Sequence, residues 1–402
     1  MNSRSPSVNS PDILPVEGCA ALGAFTLAPE LIHLNHGSYG AVPKTVQAEQ
    51  ERWRAAIERD PTGFFQNVYP AAVRQSAHVA AMSFGGKASD WVFCENATAA
   101  VNSVLASLPL RPGDEFLTTS HAYGAVLKAM RLWAQRKGAT VRMAEIPVVV
   151  ECGDQVVDAI ASSLTGRTRL LVIDHITSPT AIVFPVASIV AAAHEAGVPV
   201  FVDGAHAPGH VPLDVPSIGA DWYTGNAHKW FFAPRGCGLL WTAPKWQDIT
   251  RPAVLSHGTE QGYTEAFDWI GTRDVSPWLC LDAAWEAFAR LGGNTLRTRN
   301  QLLATEAAKV LQEAVGGEIA APSGMQGAMA SLCFRAKSDA AEEGLRIREA
   351  LRASGTVIAA GGLAGHVYVR VSAQIYNELS DYRRCAAMLR ECGVSQPVVQ
   401  VL

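Results

Sequence analysis

The sequence lacks three features that mark specialised classes of protein. It has no excess of basic residues, since its formal net charge is −4, so nothing predicts a nucleic-acid partner or an anionic membrane surface. Its longest apolar run, residues 181–193, is interrupted by Pro185 and Ser188 and is too short to span a bilayer. The polar start MNSRSPSVNSP has no apolar core of the kind found in signal peptides, so we expect a cytoplasmic location.

Cysteine is present without any pairing pattern. The eight cysteines are scattered, with no C-x-x-C pair and no histidine at ligand spacing, which argues against a disulfide framework and predicts no metal site. Hydrophobic residues make up 49% of the 402 residues and charged residues 17%. Such a composition predicts a well-packed, enzyme-like protein with more than one domain rather than a disordered chain.

The pattern of apolar runs divides the chain. From about Trp91, short β-rich runs alternate with helical stretches, which predicts an α/β domain with a mainly parallel sheet covered on both faces. After about Trp278, long helical segments and short strands predict a smaller α+β domain. We expect an N-terminal arm over 1–34 that packs with the small domain, a large domain over 35–278 and a small C-terminal domain over 279–402. The predicted strands of the large domain are 91–94, 115–118, 140–143, 169–173, 198–202, 222–223 and 238–241.

Polar residues follow two of these strands. Residues 95–100 open a helix, whose free N–H groups suit a phosphate, although an ordinary N-cap at Asn96 or Thr98 is the alternative. Asp203 directly follows an apolar strand, where a carboxylate is costly unless a cation faces it. A protonated pyridine nitrogen is one such cation, and a turn-capping role is the alternative for this residue.

A lysine in apolar surroundings completes the pattern. Lys229 lies between His228 and the run Trp230-Phe231-Phe232, and partial burial lowers the pKa of a lysine and makes its amine nucleophilic. A lysine that reaches solvent from a strand edge is the alternative. The helix N-terminus, the aspartate and the lysine about 26 residues after it each follow a predicted strand. Together they predict a site for pyridoxal 5′-phosphate, whose ring stabilises a carbanion at a substrate α-carbon.

Longer motifs extend this interpretation to almost the whole chain. From Leu34 to about Asn377 the sequence resembles fold-type I pyridoxal-phosphate enzymes of the class V aminotransferase group, most closely the isopenicillin N epimerase-like branch. That resemblance implies a large domain with a mainly parallel seven-stranded sheet and a small C-terminal α+β domain. The motifs that carry it are LNHGSYG (34–40), ENAT (95–98), VDGAH (202–206), NAHKW (226–230), WIGTRD (269–274) and RVSAQIYN (370–377).

The resemblance implies a role for each matching residue around the cofactor. Lys229 forms the Schiff base with the cofactor aldehyde and moves protons at the α-carbon. Asp203 pairs with the pyridine nitrogen, and His206 lies near the ring hydroxyl. Tyr123 stacks on the ring, with His121 as the alternative. The residues implied to hold the phosphate are Ala97, Thr98, Asn226 and His228.

The same resemblance places the substrate and a second subunit. Arg370 is implied to bind the carboxylate of an amino acid, a role suited to a bidentate guanidinium, and Asn35 and His36 are predicted to bind substrate with it. Thr272 is implied to reach the phosphate of a neighbouring subunit, which predicts a homodimer with active sites at its interface.

One departure bears on the reaction. Cysteine desulfurases carry a nucleophilic cysteine on a loop ahead of the carboxylate-binding arginine, whereas residues 359–366 contain no cysteine. Cys333 lies in an apolar run, which predicts that it is a core residue. Desulfuration through a persulfide is therefore disfavoured.

The predicted reaction starts with loss of the α-proton of an amino acid. The similarity of the motifs favours epimerisation, and β-elimination across a C–S bond or transamination is the alternative. An epimerase needs a second acid on the opposite face of the substrate, for which Tyr123 and His257 are candidates. A non-catalytic protein that binds pyridoxal phosphate is the remaining alternative.

Overall fold

A computed structural model of the chain describes residues 17–394. The beginning of the predicted arm, 1–16, and the end of the predicted C-terminal domain, 395–402, lie outside the described residues. The strands are β1 (Ile32–His33), β2 (Trp91–Cys94), β3 (Glu115–Thr119), β4 (Thr140–Ala144), β5 (Thr168–Asp174), β6 (Val200–Gly204), β7 (Trp222–Asn226), β8 (Gly238–Thr242), β9 (Glu318–Ile319), β10 (Met329–Arg335), β11 (Thr356–Val357), β12 (Ala359–Leu363) and β13 (His366–Ser372).

Helices cover both faces of the main sheet and build much of the C-terminal part. Within residues 17–394 no helix is long and apolar enough to cross a membrane. The cytoplasmic location stays a prediction. The α-helices are α1 (His36–Tyr39), α2 (Lys44–Arg59), α3 (Pro61–Gly63), α4 (Tyr69–Phe84), α5 (Ala97–Ser107), α6 (Gly124–Lys137), α7 (Gly153–Ala161), α8 (Val186–Glu195), α9 (Val215–Ile218), α10 (Pro244–Gln247), α11 (Tyr263–Asp268), α12 (Ser276–Leu279), α13 (Leu281–Arg290), α14 (Gly293–Val315), α15 (Ala340–Ala353) and α16 (Leu379–Glu391).

The seven-stranded sheet is the scaffold of the larger part. Its strand order is β2-β8-β7-β6-β5-β3-β4, in which β3 to β7 run parallel and β8 is antiparallel to both of its neighbours. This confirms the prediction of a mainly parallel seven-stranded sheet. Each predicted strand overlaps one of these strands. The largest differences are at 198–202, which is shifted to Val200–Gly204 so that Asp203 lies within the strand, and at 222–223, which extends to Asn226.

Alternating side chains of the sheet enter two separate cores. On one face, α5 and α6 pack through residues such as Val104 and Met130. On the other face, α7 and α8 pack through residues such as Val156 and Ile189. Because both faces are covered, the strands are almost continuously buried, which explains why they read as apolar runs rather than as an alternating pattern.

The C-terminal part has its own sheet and core. Strands β12, β13, β10 and β9 form an antiparallel sheet, and α14, α15 and α16 pack with it around a separate cluster of buried residues. The short strand β1 pairs in parallel with β11, and the Gly18 N–H donates to the Ile375 carbonyl at 2.8 Å. The described end of the predicted arm therefore contacts the C-terminal part. The boundaries 1–34, 35–278 and 279–402 stay our proposal for the domain division.

Candidate active site

A cavity opens at the carboxyl ends of the parallel strands, where open α/β sheets bind their ligands. Its volume is about 240 Å³. It lies between the ends of β2, β5, β6 and β7 and the first turns of α1 and α5. The residues that line it are Ser38, Tyr39, Asn96, Ala97, Thr98, Tyr123, Asp174, Ser178, Asp203, Ala205, His206, Asn226, His228 and Lys229.

Lys229 carries the cavity's amine. Its side chain is partly buried, and Nζ lies 3.3 Å from His206 Nε2. Burial, followed by the positive charge of Arg370, lowers the pKa of Lys229 from 10.5 to about 7, against the opposing effect of Asp203 and Asp174. The amine is therefore a substantial fraction neutral near pH 7, which a nucleophile or a proton acceptor requires.

Asp203 and His206 face the cavity with unused bonding capacity. Asp203 is 4% exposed and accepts a hydrogen bond from the Ala205 N–H at 2.9 Å, but no cation within residues 17–394 pairs with it. Burial raises its pKa. His206 Nδ1 is buried and has no hydrogen-bond partner among the described residues. Both groups are therefore free to bond a polar ligand in the cavity.

The N-terminus of α5 forms another wall. The Asn96 side chain accepts a hydrogen bond from the Ala99 N–H at 3.0 Å and so caps the helix. Asn226 Oδ1 accepts a hydrogen bond from the Ala97 N–H at 2.9 Å. Two of the residues predicted to hold a phosphate, Ala97 and Asn226, are thus bonded to each other across the cavity wall, and Thr98 follows them in the first helical turn.

A glycine brings two chain segments together beneath this wall. A Cβ on Gly238 would lie 2.6 Å from the Asn96 Cα, so only glycine lets β8 approach the turn that opens α5. His228, also predicted at the phosphate, hydrogen-bonds from Nδ1 to the Cys237 carbonyl at 3.2 Å. Burial, followed by the charge of Lys229, lowers the pKa of His228 to about 4, so its ring is neutral at pH 7.

Arg370, on the C-terminal sheet, lies directly behind the cavity wall. It is not among the described residues that line the cavity, but its partners Ser38 and Ser178 are. Its guanidinium donates to the Ser178 carbonyl at 2.6 Å, to Ser38 Oγ at 3.0 Å and to Asn35 Oδ1 at 3.1 Å. The side chain is 3% exposed, its Nε has no partner, and no carboxylate within residues 17–394 pairs with it. A buried, permanently charged group without an anion is costly, so this arrangement suits an anionic ligand.

Asn35 and His36 lie behind the cavity rather than on its surface. Asn35 orients Arg370, while the buried His36 donates from Nε2 to the Lys229 carbonyl at 3.0 Å and bonds Tyr376 through Nδ1 at 2.9 Å. Neither side chain lines the cavity within the described chain. Asn35 therefore supports Arg370, and His36 supports the backbone of Lys229. This geometry favours supporting roles over the predicted direct contact with substrate.

A comparison with known proteins identifies the family of the chain. The family model described as "Aminotransferase class-V" matches residues 39–384. The chain belongs to this family. The predicted resemblance to the class V aminotransferase group and the prediction of an enzyme are thereby confirmed. Pyridoxal 5′-phosphate is confirmed as the cofactor.

Individual relatives of this class V chain carry two different activities in their names. A putative L-cysteine desulfhydrase 1 of rice (Oryza sativa subsp. japonica) is 34% identical over 87% of this chain and 81% of the relative. An isopenicillin N epimerase of Streptomyces clavuligerus is 30% identical over 92% of this chain and 96% of the relative. Among solved structures, the cystine C-S lyase C-DES has a TM-score of 0.77 at 21% identity, covering 91% of this chain and 98% of that one, which supports the fold.

The cavity of this class V enzyme fits its cofactor in three places. The unpaired Asp203 suits a protonated ring nitrogen, and the orphaned Nδ1 of His206 suits a ring hydroxyl. The first turn of α5, with Thr98 at the cavity surface, suits a phosphate. Lys229 lies among them with a neutral amine, as covalent attachment requires.

The two candidates for the stacking residue are separated by burial. Tyr123 lines the cavity and is 47% exposed. His121 is buried, bonds Thr180 at 2.8 Å and the Pro147 carbonyl at 3.0 Å, and does not line the cavity. Of the two candidates, Tyr123 is therefore the one that lies at the cavity, and its stacking on the cofactor stays a prediction.

Several residues lie apart from their predicted roles or were missed. Thr272 and His257 are exposed and do not line the cavity formed by the described chain. Asp174, by contrast, lines it although no motif pointed to it. The sequence signal was available, because Asp174 ends the apolar run of β5 just as Asp203 ends the apolar part of β6. Five further lining residues had no predicted role at the cavity, although all but Ser178 lie in the quoted motifs: Ser38, Tyr39, Asn96, Ser178 and Ala205.

Proposed function

We propose that this enzyme removes a sulfur substituent from the β-carbon of a cysteine-type L-amino acid, a β-elimination. The observation that carries the proposal is a cavity with one well-suited base. Lys229 is the single amine among the described lining residues, and its pKa is lowered to about 7, chiefly by burial. The two lining histidines are neutral, since burial lowers the pKa of His206 well below its usual range and that of His228 to about 4.

The chain's own groups divide the work between binding and proton transfer. Arg370, held by Ser178, Ser38 and Asn35, binds the substrate carboxylate through its unpaired Nε and its neighbouring N–H groups. Bound pyridoxal phosphate supplies the electron withdrawal that acidifies the α-proton. The Lys229 amine takes that proton from the α-carbon and returns it to the departing sulfur, so one base serves both steps.

The missing nucleophile favours elimination over persulfide chemistry. No cysteine is among the described residues that line the cavity. Cys333 is 2% exposed in β10, and burial raises the pKa of its thiol to about 12, so it is an inert core residue. The β12–β13 segment before Arg370 is a hairpin without cysteine. A sulfur atom leaving the substrate therefore meets no thiolate among the described residues of the cavity.

Epimerisation is the second candidate, and one observation favours it. Tyr123 lines the cavity and is 47% exposed, so its hydroxyl is a candidate for the second acid that an epimerase needs. His257, the other candidate for that acid, is exposed and outside the cavity. The epimerase relative at 30% identity supports keeping this reaction in the test.

Proton NMR in heavy water separates the reactions. The holoenzyme is incubated with L-cysteine, L-cystine, S-substituted cysteines and a panel of other L-amino acids. Pyruvate that forms without an added keto acid supports the lyase. Exchange of the α-proton with an intact side chain and appearance of the D-amino acid supports the epimerase and refutes the lyase. Dependence on an added keto acid identifies transamination, and no reaction with any compound supports a non-catalytic binding protein. The Lys229→Ala variant is the control for enzyme-dependent exchange.

We further propose that the enzyme is a homodimer with each Thr272 at the phosphate of the partner's site. Thr272 is exposed and outside the cavity of its own chain, as a residue serving a second copy must be. Sedimentation analysis should give a dimer. Thr272→Val should weaken cofactor binding, and a monomer with full cofactor affinity would refute the proposal.

A further inference from the structure

Asp174 and Asp203 end neighbouring parallel strands at the same level. The register of β5 and β6 pairs the two residues directly, and the His175 N–H donates to the Asp203 carbonyl at 2.8 Å. Adjacent strands are about 4.8 Å apart, and paired residues present their side chains on the same face. Both carboxyl groups line the active-site cavity and are 6% and 4% exposed. They therefore lie side by side in a site that is largely shielded from solvent.

Neither carboxyl group has a cation of its own. Within residues 17–394 no ion pair includes Asp174 or Asp203. The two nearby cationic side chains are otherwise engaged: Lys229 Nζ contacts His206, and Arg370 donates to Ser178, Ser38 and Asn35. Two ionised carboxylates at such a distance repel each other, so one proton stays on the pair unless a positive charge approaches.

A second, independent feature of the same cavity indicates a ring-shaped polar ligand at this position. His206 is 3% exposed, lines the cavity, and leaves its Nδ1 without a partner among the described residues. A ligand that carries a hydrogen-bonding group beside a ring cation would satisfy His206 and the two carboxyl groups together. Pyridoxal phosphate has that arrangement, so this step rests on the same cofactor as the proposed function.

We propose that Asp174 and Asp203 act as a carboxylate dyad for the cofactor's ring nitrogen. The dyad holds one proton while the cavity lacks the cofactor and releases it to solvent when the positively charged ring binds. Asp174 is thus a positioning residue that doubles the negative charge facing the ring nitrogen, and Asp203 remains the direct partner of that nitrogen.

The charged neighbours of the dyad set the direction of the pH effect. Burial, followed by the charge of Asp203, raises the pKa of Asp174 well above its usual range, while Lys229 and the Tyr123 backbone N–H oppose this. Arg370 acts from the C-terminal sheet on Lys229 and His206. His175, the next residue of the chain, bonds Tyr223 at 2.8 Å instead.

The sign of the linkage follows from the raised pKa. Because the cofactor-free dyad is protonated and the loaded dyad is not, cofactor binding releases a proton and strengthens as pH rises toward the pKa of the free dyad. Each proton released steepens the affinity by up to about tenfold per pH unit. Below the pKa of the free dyad, the singly protonated wild-type pair and the one carboxylate of a dyad variant each present one negative charge to Lys229, whose pKa responds to both groups. Protons exchanged by the lysine and by the cofactor phosphate therefore contribute nearly equally to the two pH profiles.

The test measures the dissociation constant of pyridoxal phosphate for the cofactor-free protein across pH. The isosteric change Asp174→Asn removes the proton-carrying group, so its affinity should rise with pH less steeply than that of the wild type, by up to about tenfold per unit. Asp203→Asn should also make the affinity for pyridoxal phosphate rise less steeply with pH. The double variant should reduce this slope no further than either single change. The exposed Asp248→Asn is the matched charge control and should keep the wild-type slope.

Binding of a cofactor analogue without the ring nitrogen tests whether the pH effect depends on that nitrogen. The 1-deaza analogue of pyridoxal phosphate has no ring nitrogen, so wild type and Asp174→Asn should bind it with the same pH dependence. Equal slopes for the two proteins with pyridoxal phosphate itself would overturn the dyad. Failure of the wild type to bind pyridoxal phosphate at all would instead overturn the proposed function. Thermal melting of each variant verifies that the folded fraction is unchanged.

Discussion

Arg370 contributes to the lowered pKa of Lys229 from a different part of the chain. It lies on β13, whereas Lys229 follows β7, and its positive charge is the second cause, after burial, of the lowered pKa of the lysine. We therefore expect Arg370→Gln, which keeps the polar contacts but removes the charge, to raise the pKa of Lys229 toward its ordinary value of 10.5.

The expected magnitude is large enough to measure. With a pKa of about 7, about half of the Lys229 amines are neutral at pH 7, whereas with the ordinary value of 10.5 only about one in 3,000 would be. The reactivity of the amine at pH 7 therefore lies up to about a thousandfold above that of an ordinary lysine. Removing Arg370 recovers only the part of the shift that is due to its charge, since the burial of Lys229 remains.

Competitive acetylation of the cofactor-free protein with quantification of the Lys229 peptide by mass spectrometry gives the pKa directly. The wild-type midpoint should fall near pH 7, and that of Arg370→Gln at a higher pH. Arg348→Gln, an exposed arginine of α15, is the matched control and should leave the midpoint unchanged. A wild-type midpoint near that of an ordinary lysine, or an unchanged midpoint in Arg370→Gln, would refute the electrostatic reasoning.

Three further predictions concern the cofactor and its support. Lys229→Ala should lose both turnover and the covalent attachment of the cofactor, seen as loss of the bound-cofactor absorbance, and a normal spectrum would contradict the assignment. Gly238→Ala should weaken cofactor binding and lower the free energy of unfolding by about 1–3 kcal/mol, because its Cβ meets the Asn96 backbone, whereas Gly324→Ala, with open space at its Cβ, should not. His36→Ala should lower the free energy of unfolding by about 2 kcal/mol through loss of its buried bonds to the Lys229 carbonyl and Tyr376, and equal denaturation midpoints would exclude that supporting role.

The sequence alone was sufficient for the elements of the large sheet and for most of the cavity. Because buried parallel strands have continuous apolar runs, the sequence predicted the position of all seven strands to within a few residues at their ends. Asp203 and Lys229 were legible too, because a charged group at the end of such a run is costly without a partner. Since parallel strands bring their carboxyl ends to one edge, a shared site followed from their positions along the chain.

Long-range pairing decided what the sequence left open. Asp174 stands beside Asp203 only because of the register of β5 on β6, and the bond between Ala97 and Asn226 joins residues far apart in the chain. His36 lies behind the Lys229 backbone, and Arg370 arrives from another sheet, because the C-terminal part docks against the strand ends. Local apolar patterns determine which segments become strands and helices. Which side chains then meet depends on register and docking, which are properties of the packed chain and leave no local pattern in the sequence.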